Sequence, residues 1–292
     1  MTKGRWVVSP VRNDPDLDMV TFRLLGDLFL RHAGLQMADE SREMVARKLA
    51  GRLPMVRVDG YPEYYRYLRF HPAEMDHAIE AITTKETYLF RESAQLDGFE
   101  REVLPGIHRS STAQGRKRLL VWSAGCATGE EVYTLASIIE ETGLFHDWDV
   151  KVLGTDVARK AIGLAREGVY GPSSFRAMPA RYDHYFETHG SGRRAIDIIR
   201  DRCRFTTMNL VETERMALVG TPDVIFCRNV LIYMAMHARR AIVRGFSDVL
   251  RPGGYLLLGH SESLINISTS FSLVHLSKEL VYRKSIEGTS GS

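Results

Sequence analysis

Apolar and polar residues follow one periodicity in the first third of the chain and another in the rest. Up to about residue 82, apolar residues recur at helical spacing, as Phe22, Leu25 and Phe29 show, and this spacing places them on one face of an α-helix. Further along, short apolar runs alternate with helical segments. The pattern predicts a small all-α N-terminal domain of about four helices over residues 15–82, followed by an α/β domain over residues 83–286.

The α/β domain should contain a mainly parallel sheet. Its strands are predicted at the apolar runs 119–122, 150–154, 224–227 and 255–258. Because helical segments separate these runs, right-handed crossovers should connect the strands and cover both faces of the sheet with helices. Residues 272–284 form two alternating runs, which predict an antiparallel hairpin at the end of the domain.

One segment interrupts the alternation of strands and helices. Between residues 168 and 204 the chain is long for a plain connection, and it contains two prolines and the turn signal Gly190-Ser191-Gly192. We therefore expect an inserted small β-subdomain at about residues 170–204. Within it, residues 182–186 should form a helical turn, and short strands should lie around residues 194–199.

The most informative segment is a glycine-containing turn between the first strand and its helix. Gly125 and Gly129 let the backbone turn sharply and let a ligand approach closely. The pattern G-x-G-x-x-G is absent, which argues against a dinucleotide site and a nicotinamide-dependent oxidoreductase. Glu130 and Glu131 at the helix start would repel a pyrophosphate but suit an ammonium group, so S-adenosylmethionine fits the turn. From spacing alone, the two acids are equally explained as helix-capping groups.

Asp156 ends the second predicted strand. A carboxylate at this position is placed to accept hydrogen bonds from both hydroxyl groups of a ribose. The alternative is that it caps the helix predicted to begin at residue 158. The combination of Asp156 with the glycine turn favours the ribose.

Composition and charge exclude several other classes. The net charge of +3 is only mildly basic and does not require a nucleic-acid partner. The three cysteines are scattered, and the histidines lack a spacing such as H-E-x-x-H, so neither a disulfide framework nor a metal site is expected. No apolar stretch is long enough for a membrane span, and no signal-peptide core is present, which predicts a cytoplasmic protein. Residues 287–292 are expected to form a disordered tail.

Four segments, residues 84–92, 125–133, 227–233 and 258–264, together resemble the CheR family of chemotaxis receptor methyltransferases. The resemblance extends from about residue 17 to residue 284 and keeps the segments in family order. It implies a seven-stranded, Rossmann-like class I methyltransferase domain with an inserted small β-subdomain, preceded by a helical domain. It also implies S-adenosylmethionine-dependent methylation of glutamates on the cytoplasmic helices of chemoreceptors (methyl-accepting chemotaxis proteins), giving methyl esters and S-adenosylhomocysteine for sensory adaptation.

The resemblance also assigns site residues. With the glycine turn included, the cofactor contacts fall on Lys85, Thr87, Arg91, Gly125, Glu130, Asp156, Asn209, Leu210, Arg228 and Asn229. The hydroxyl-bearing residue near the transferred methyl group corresponds to Tyr233. This chain departs from the family pattern at Lys85, where asparagine is frequent, at Ala127, where serine is common, and at Val132, where proline is usual.

The chemistry requires positioning more than acid–base catalysis. A sulfonium methyl group is already activated, and a glutamate nucleophile is ionised at neutral pH, so the reacting atoms need to be held in line with water excluded. Arg91 is expected to orient a carboxylate, and Tyr233 is expected to hydrogen-bond the acceptor glutamate. The alternatives are a surface ion pair with Glu86 or Glu92 for Arg91, and a core position for Tyr233.

A basic stretch between residues 42 and 57 is the first candidate for docking the protein substrate. Arg42, Arg47, Lys48 and Arg52 stand against a single acid, Glu43, in its first part, and a basic helix face would complement an acidic receptor bundle. A solvated helix face explains the same charges.

The inserted subdomain is the second docking candidate. In some family members it docks a C-terminal receptor peptide by strand addition. The expected partner is thus the cytoplasmic domain of a chemoreceptor, bound by a monomer that neither binds nucleic acid nor inserts into a membrane.

Two rival functions remain open at this point. A base methyltransferase would carry an N/D-P-P-Y/F/W motif, whereas the corresponding residues 228–231 read Arg-Asn-Val-Leu. A catalytically weak module that senses S-adenosylmethionine, or scaffolds a chemosensory pathway other than chemotaxis, would not need Arg91, Glu130, Asp156 and Tyr233 together.

Overall fold

The N-terminal domain is a bundle of five helices in the computed structural model, which describes residues 16–285. The helices are α1 (Met19–Ala33), α2 (Arg42–Ala50), α3 (Leu53–Val56), α4 (Tyr61–Leu68) and α5 (Pro72–Ile82). Phe22, Leu25 and Phe29 are buried in its core, as their spacing predicts. The expected four helices become five because α3 is too short to show an apolar period. The tail at residues 287–292 lies outside the described residues.

The remaining elements alternate between helices and strands. The helices are α6 (Ser93–Gly98), α7 (Leu104–Ala113), α8 (Glu130–Glu141), α9 (Arg159–Glu167), α10 (Asp197–Arg200) and α11 (Met236–Val249). The strands are β1 (Arg118–Ala124), β2 (Asp149–Asp156), β3 (Val169–Tyr170), β4 (Phe186–His189), β5 (Gly192–Ala195), β6 (Cys203–Thr207), β7 (Val224–Cys227), β8 (Tyr255–Leu258), β9 (Phe271–His275) and β10 (Leu280–Lys284). The apolar runs predicted as strands lie in β1, β2, β7 and β8.

Seven strands form the main sheet in the order β6-β2-β1-β7-β8-β10-β9. The strands from β6 to β8 are parallel, and β10 is antiparallel to both β8 and β9. Leu119 and Val121 of β1 lie in one core, whereas Leu120 and Trp122 lie in the core on the other face, because successive side chains of a strand point to opposite faces. The structure confirms the predicted Rossmann-like sheet and its closing hairpin.

The inserted segment forms a separate antiparallel sheet in the order β3-β5-β4. It lies in the chain between α9 and β6 and confirms the expected inserted β-subdomain. The strands predicted around residues 194–199 are correct only up to Ala195, because residues 197–200 form the helical turn α10. The turn buries Ile199 and exposes Ile198, so packing overrides the strand preference of these β-branched residues.

Candidate functional site

A cavity of about 340 Å³ lies between the helical domain and the carboxyl ends of four parallel strands. Gly125 follows β1, Asp156 ends β2, Met208 follows β6 and Arg228 follows β7. The carboxyl ends of neighbouring parallel strands meet at one edge of a sheet, which is where ligands bind in open α/β folds. The site residues predicted from sequence that line this cavity are Thr87, Arg91, Gly125, Asp156, Asn209, Leu210, Arg228, Asn229 and Tyr233.

The glycine turn is tightly held against the neighbouring strand. The N–H groups of Gly125 and Cys126 donate to the carbonyl oxygen of Thr155 at 2.7 and 2.9 Å. Gly125 has φ +86°, and a Cβ atom there would come within 2.4 Å of Val230 Cγ2. Only glycine tolerates this combination of left-handed backbone and close approach, so the turn can pass directly beneath the cavity.

Asp156 joins the glycine turn to the start of α9. One carboxylate oxygen accepts a hydrogen bond from the N–H of Ala127 at 2.8 Å, and the other accepts from the N–H of Ala158 at 2.9 Å. Burial raises the pKa of Asp156, and these two hydrogen bonds oppose the shift. Each oxygen has a second lone pair, so the carboxylate can organise the backbone and also accept hydrogen bonds from a ligand. The two interpretations of Asp156 from sequence are therefore compatible.

Of the two acids at the start of α8, Glu131 lines the cavity and Glu130 does not. Glu130 is buried, and its carboxylate accepts from the hydroxyls of Thr128 at 2.6 Å and Ser174 at 3.0 Å. It therefore connects the glycine turn to the segment between β3 and β4 of the inserted sheet. Successive helical residues point about 100° apart, and sequence alone did not show which of the two acids faces the cavity.

Arg228 connects three walls of the cavity. Its Nε donates to a carboxylate oxygen of Glu131 at 2.7 Å, and one terminal nitrogen donates to the carbonyl oxygen of Arg91 at 2.8 Å. The same nitrogen lies 3.6 Å from a carboxylate oxygen of Glu92. The Arg228 side chain is buried, so removing it would leave the carboxylate of Glu131 without its counter-charge.

Arg91 lines the cavity from a strained turn. The residues on either side, Phe90 and Glu92, have φ +60° and +58°, a left-handed conformation that costs about 1–3 kcal/mol per residue and persists where surrounding contacts enforce it. The Arg91 guanidinium donates to the carbonyl oxygen of Glu86 at 2.8 Å. Its nearest carboxylate atom, on Glu92, is 3.9 Å away. The ion pair expected as the alternative role is therefore weak, and the guanidinium keeps free donors.

Lys85 is not among the cavity-lining residues. Its ammonium group donates to the carbonyl oxygen of Glu80 at the end of α5. The charge of Lys85 nevertheless acts on Asp156, because it contributes to lowering the pKa of that carboxyl group against the effect of burial.

Tyr233 stands at the rim of the cavity, and the helical domain holds it there. Its carbonyl oxygen accepts from the N–H of Gln36, and the N–H of Ala235 donates to the carbonyl oxygen of Gly34, both at 2.9 Å. These bonds form an isolated antiparallel bridge between Leu35 and Met234. The Tyr233 side chain is 46% exposed, so the core position considered as its alternative is wrong.

The same segment of the helical domain also contacts a cofactor-binding candidate. The side-chain amide of Asn209 donates to the carbonyl oxygen of His32 at 2.7 Å. One short stretch at the end of α1 and just beyond it, residues 32–36, thus positions both Asn209 and Tyr233. This role is not predictable from the sequence, because nothing local marks a main-chain contact between residues that lie about 200 positions apart.

Glu262 organises the loop that carries Asn229 and Tyr233. One carboxylate oxygen accepts from the N–H groups of Asn229 and Gly259, each at 2.8 Å. The other accepts from the N–H groups of Val230 and Ile232 at 3.0 and 3.2 Å. A single side chain therefore satisfies four backbone donors of the loops after β7 and β8. The segment 258–264 contributed to the family resemblance, but its spacing gave no indication of this role.

Three of the four docking candidates have partners within the protein. Arg52 forms a buried, two-point ion pair with Glu74, at 2.9 and 2.6 Å. Lys48 donates to the carbonyl oxygen of Ile82 at 2.8 Å, and burial, followed by the charge of Lys85, lowers its pKa. Arg42 donates to the carbonyl oxygen of Leu17 at 2.7 Å. Arg47 is exposed, and no residue in 16–285 pairs with it.

The groups around the cavity are suited to S-adenosylmethionine. The carboxylate of Asp156 is placed for a ribose, and the acid Glu131 suits an ammonium group. Leu35, Ile79 and Ile82 of the helical domain add an apolar wall, which an adenine ring requires. The part of the chain that the structure describes contains no cluster of three metal-ligating side chains. Nor does any helix between residues 16 and 285 have the length and apolar character to cross a membrane.

Comparison with known proteins agrees with this geometry. The family description "CheR methyltransferase, all-alpha domain" matches residues 21–83, and "CheR methyltransferase, SAM binding domain" matches residues 85–280. Chemotaxis protein methyltransferase 2 of Vibrio cholerae is 33% identical over 280 residues, covering 94% of this chain and 95% of the relative. Chemotaxis protein methyltransferase 1 of Pseudomonas aeruginosa is 36% identical over 212 residues, covering 70% and 76%.

The sheet order, the cavity at its carboxyl edge and the matched cofactor domain define an S-adenosylmethionine-dependent methyltransferase. The chain belongs to the CheR methyltransferase family. This membership rules out the nicotinamide-dependent oxidoreductase and the base methyltransferase, and it does not favour the catalytically weak sensing module.

Proposed function

We propose that this protein transfers the methyl group of S-adenosylmethionine to glutamate side chains on the cytoplasmic helices of a chemoreceptor. The products are glutamate methyl esters and S-adenosylhomocysteine, and the reaction serves sensory adaptation. The observation that carries the proposal is the lack of a histidine base at the cavity: within residues 16–285, no histidine lines it, Asp156 and Glu131 are held by hydrogen-bond donors, and the third lining carboxylate, Glu86, is exposed to solvent. An ionised glutamate needs no base, unlike an amine or hydroxyl acceptor.

The cofactor contributes a methyl group already activated by the sulfonium. We assign its binding to Thr87, Arg91, Gly125, Asp156, Asn209, Leu210, Arg228 and Asn229. Lys85 and Glu130 act indirectly: Lys85 stabilises the charge of Asp156, and Glu130 holds the glycine turn. Glu131 adds a carboxylate for the ammonium group. These contacts fix the sulfonium group in the cavity. Catalysis then consists mainly of holding the acceptor carboxylate oxygen, the methyl carbon and the sulfur in line.

The acceptor glutamate enters at the rim. Arg91 keeps free guanidinium donors that can pair with its carboxylate. The hydroxyl of Tyr233 hydrogen-bonds no group in the described part of the chain and projects from a segment fixed by the helical domain. We assign Tyr233 the role of donating a hydrogen bond that aims one carboxylate oxygen at the methyl carbon.

The test of this function is transfer of radiolabelled methyl groups to receptor glutamates. Incubation with labelled S-adenosylmethionine and chemoreceptor-containing membranes should give base-labile label on the receptor, because carboxyl methyl esters hydrolyse readily in alkali. The variant Tyr233→Phe should lower kcat about tenfold or more with little change in cofactor Kd. The matched control is Tyr65→Phe on α4, a residue that does not line the cavity. Base-stable label, or equal rates for both variants, would contradict the assignment.

Arg47 is proposed as the docking residue of the basic stretch, since Arg42, Lys48 and Arg52 serve the fold. The variant Arg47→Glu should raise KM for the receptor about threefold to tenfold at low salt, and added salt should reduce the difference by screening. Cofactor Kd should not change. Arg244→Glu, an exposed position on α11, is the control for net charge. Equal KM for the two variants would reject Arg47 as a docking contact.

Three further features complete the proposal. The protein acts as a monomer in the cytoplasm, where the proposed acceptor helices of the chemoreceptor lie. The inserted sheet offers strands β3 and β4 as edges, and an unpaired edge can accept a peptide strand. We therefore keep a receptor C-terminal peptide as a second contact of the same partner.

A further inference from the structure

Three arginines surround a second hollow, whose lining residues are not among those that line the cofactor cavity. The hollow has a volume of about 260 Å³ and is lined by Tyr133, Arg166, Arg200, Cys203, Arg204 and Phe205. It lies where α9, α10 and β6 come together beside the inserted sheet. Arg166 and Arg204 are exposed, and Arg200 is partly exposed.

Main-chain carbonyl groups hold these arginines in place. Arg166 donates to the carbonyl oxygen of Phe205 at 2.9 Å. Arg200 donates to the carbonyl oxygen of Glu167 at 2.6 Å, where α9 ends. Arg204 donates to the carbonyl oxygen of Cys203 at 2.7 Å. The guanidinium groups are therefore oriented, yet their positive charges are not neutralised by these bonds.

Other arginines of the same region are neutralised by carboxylates. Arg193 pairs with Asp183 at 2.8 Å, and Arg194 pairs with Glu187 at 2.9 Å. In residues 16–285, no carboxylate oxygen lies within 4.0 Å of the guanidinium nitrogens of the three arginines at the hollow. The three arginines at the hollow thus keep an uncompensated positive charge, unlike Arg193 and Arg194. This difference indicates that the hollow is a site for an anion.

We propose that this hollow binds the phosphate group of a small molecule. A phosphate monoester carries a charge of about −1.5 to −2 at neutral pH and offers three acceptor oxygens. Three guanidinium groups match this charge and number of acceptors better than they match a single carboxylate, and the planar fork of arginine pairs well with phosphate oxygens. The partly exposed ring of Phe205 at the hollow would face any group attached to the phosphate. The proposal is independent of the methyl-transfer reaction.

The test measures the thermal stability of the full-length protein with its cofactor cavity filled by S-adenosylhomocysteine. Added inorganic phosphate should raise Tm, because a ligand that binds only the folded state stabilises it. Sodium chloride at equal ionic strength should not raise Tm. Screening alone would act equally in both salts, so a rise in phosphate only indicates binding. An equal rise in chloride would overturn the proposal.

Variants assign the effect to the hollow. The double variant Arg166→Gln/Arg204→Gln should weaken phosphate binding about a hundredfold in titration calorimetry, because each removed guanidinium takes away a charge-assisted hydrogen bond that supports about a tenfold difference in affinity. The control Arg101→Gln/Arg244→Gln removes two exposed charges elsewhere and should leave Kd unchanged. Arg204→Gln alone keeps the hydrogen bond from Arg166 to β6 and serves if the double variant is unstable; it should weaken binding about tenfold. Unchanged phosphate binding in the hollow variants would overturn the proposal.

A second titration distinguishes the source of the phosphate group. Adenosine 5′-monophosphate is compared with inorganic phosphate, again with S-adenosylhomocysteine saturating the cofactor cavity. Tighter binding of the nucleotide, abolished in Arg204→Gln, would identify a nucleotide ligand that uses the ring of Phe205. Equal affinity would identify free phosphate. Both results support the site, whereas binding of neither compound refutes it.

Discussion

The variant Gly34→Ala is expected to lose most of its catalytic rate while its fold survives. Gly34 ends α1 with φ +69°, and an added Cβ would lie 2.7 Å from Ala238 Cβ and 2.8 Å from Val211 Cγ1. The left-handed backbone costs an alanine about 1–2 kcal/mol, and the overlap adds about 1–3 kcal/mol. Relief of this overlap must move residues 32–36, which hold Tyr233 and Asn209. We expect kcat/KM to fall at least 30-fold, about 2 kcal/mol in transition-state free energy.

Gly143→Ala provides a matched control for this prediction. Gly143 also follows a helix with positive φ, +63°, but an added Cβ there meets no atom within 4 Å. It should therefore show the conformational cost without the steric one, and its activity should be that of the parent protein. The comparison uses thermal melts and initial rates at several cofactor concentrations. Equal losses of kcat/KM in the two variants would mean that the loss in Gly34→Ala comes from its backbone conformation alone. The contact between residues 32–36 and the catalytic domain would then not be needed for catalysis.

The variant Glu262→Gln is expected to reduce kcat about 100-fold. Glutamine keeps the size of the side chain but replaces one acceptor oxygen with an NH₂ donor, which would face backbone N–H groups such as those of Val230 and Ile232. A donor left without an acceptor costs about 1–3 kcal/mol when it is buried; Glu262 is partly buried, and the loop relaxes away from this clash. Tyr233 then loses its alignment, and small misplacements of reacting groups can cost about 100-fold in rate.

Separate measurement of kcat and KM distinguishes this positioning role from general instability. Because Asn229 is displaced with the loop, KM for S-adenosylmethionine should also rise, but less than kcat falls. Glu262→Asp keeps both acceptor oxygens and should restore part of kcat. The control Glu212→Gln removes a surface carboxylate that pairs with Arg215. A Glu262→Gln protein that retains the parent kcat would refute the role of Glu262.

The secondary structure was largely predictable because it depends on local order in the sequence. The apolar runs of β1, β2, β7 and β8 are short, mostly buried on both faces and bounded by turns, so their pattern alone predicts strands. The turn at Gly125 was recognisable for the same reason, since a strand, a glycine turn and a helix follow one another directly. Prediction failed at α3 and α10, each of four residues, because such elements are decided by packing rather than by periodicity.

The sequence by itself determined the fold class and the edge of the sheet where the cavity lies, because the ends of parallel strands must meet there. Together with the family resemblance, it also indicated nine of the residues that line the cavity. Only the tertiary structure decided that Glu131 rather than Glu130 faces the cavity, that Arg52 is committed to Glu74, and that residues 32–36 and Glu262 hold Tyr233. These features depend on side-chain orientation and on main-chain hydrogen bonds between segments distant in the chain. Such contacts leave no periodic trace in the sequence, since any residue can supply a backbone N–H or carbonyl group.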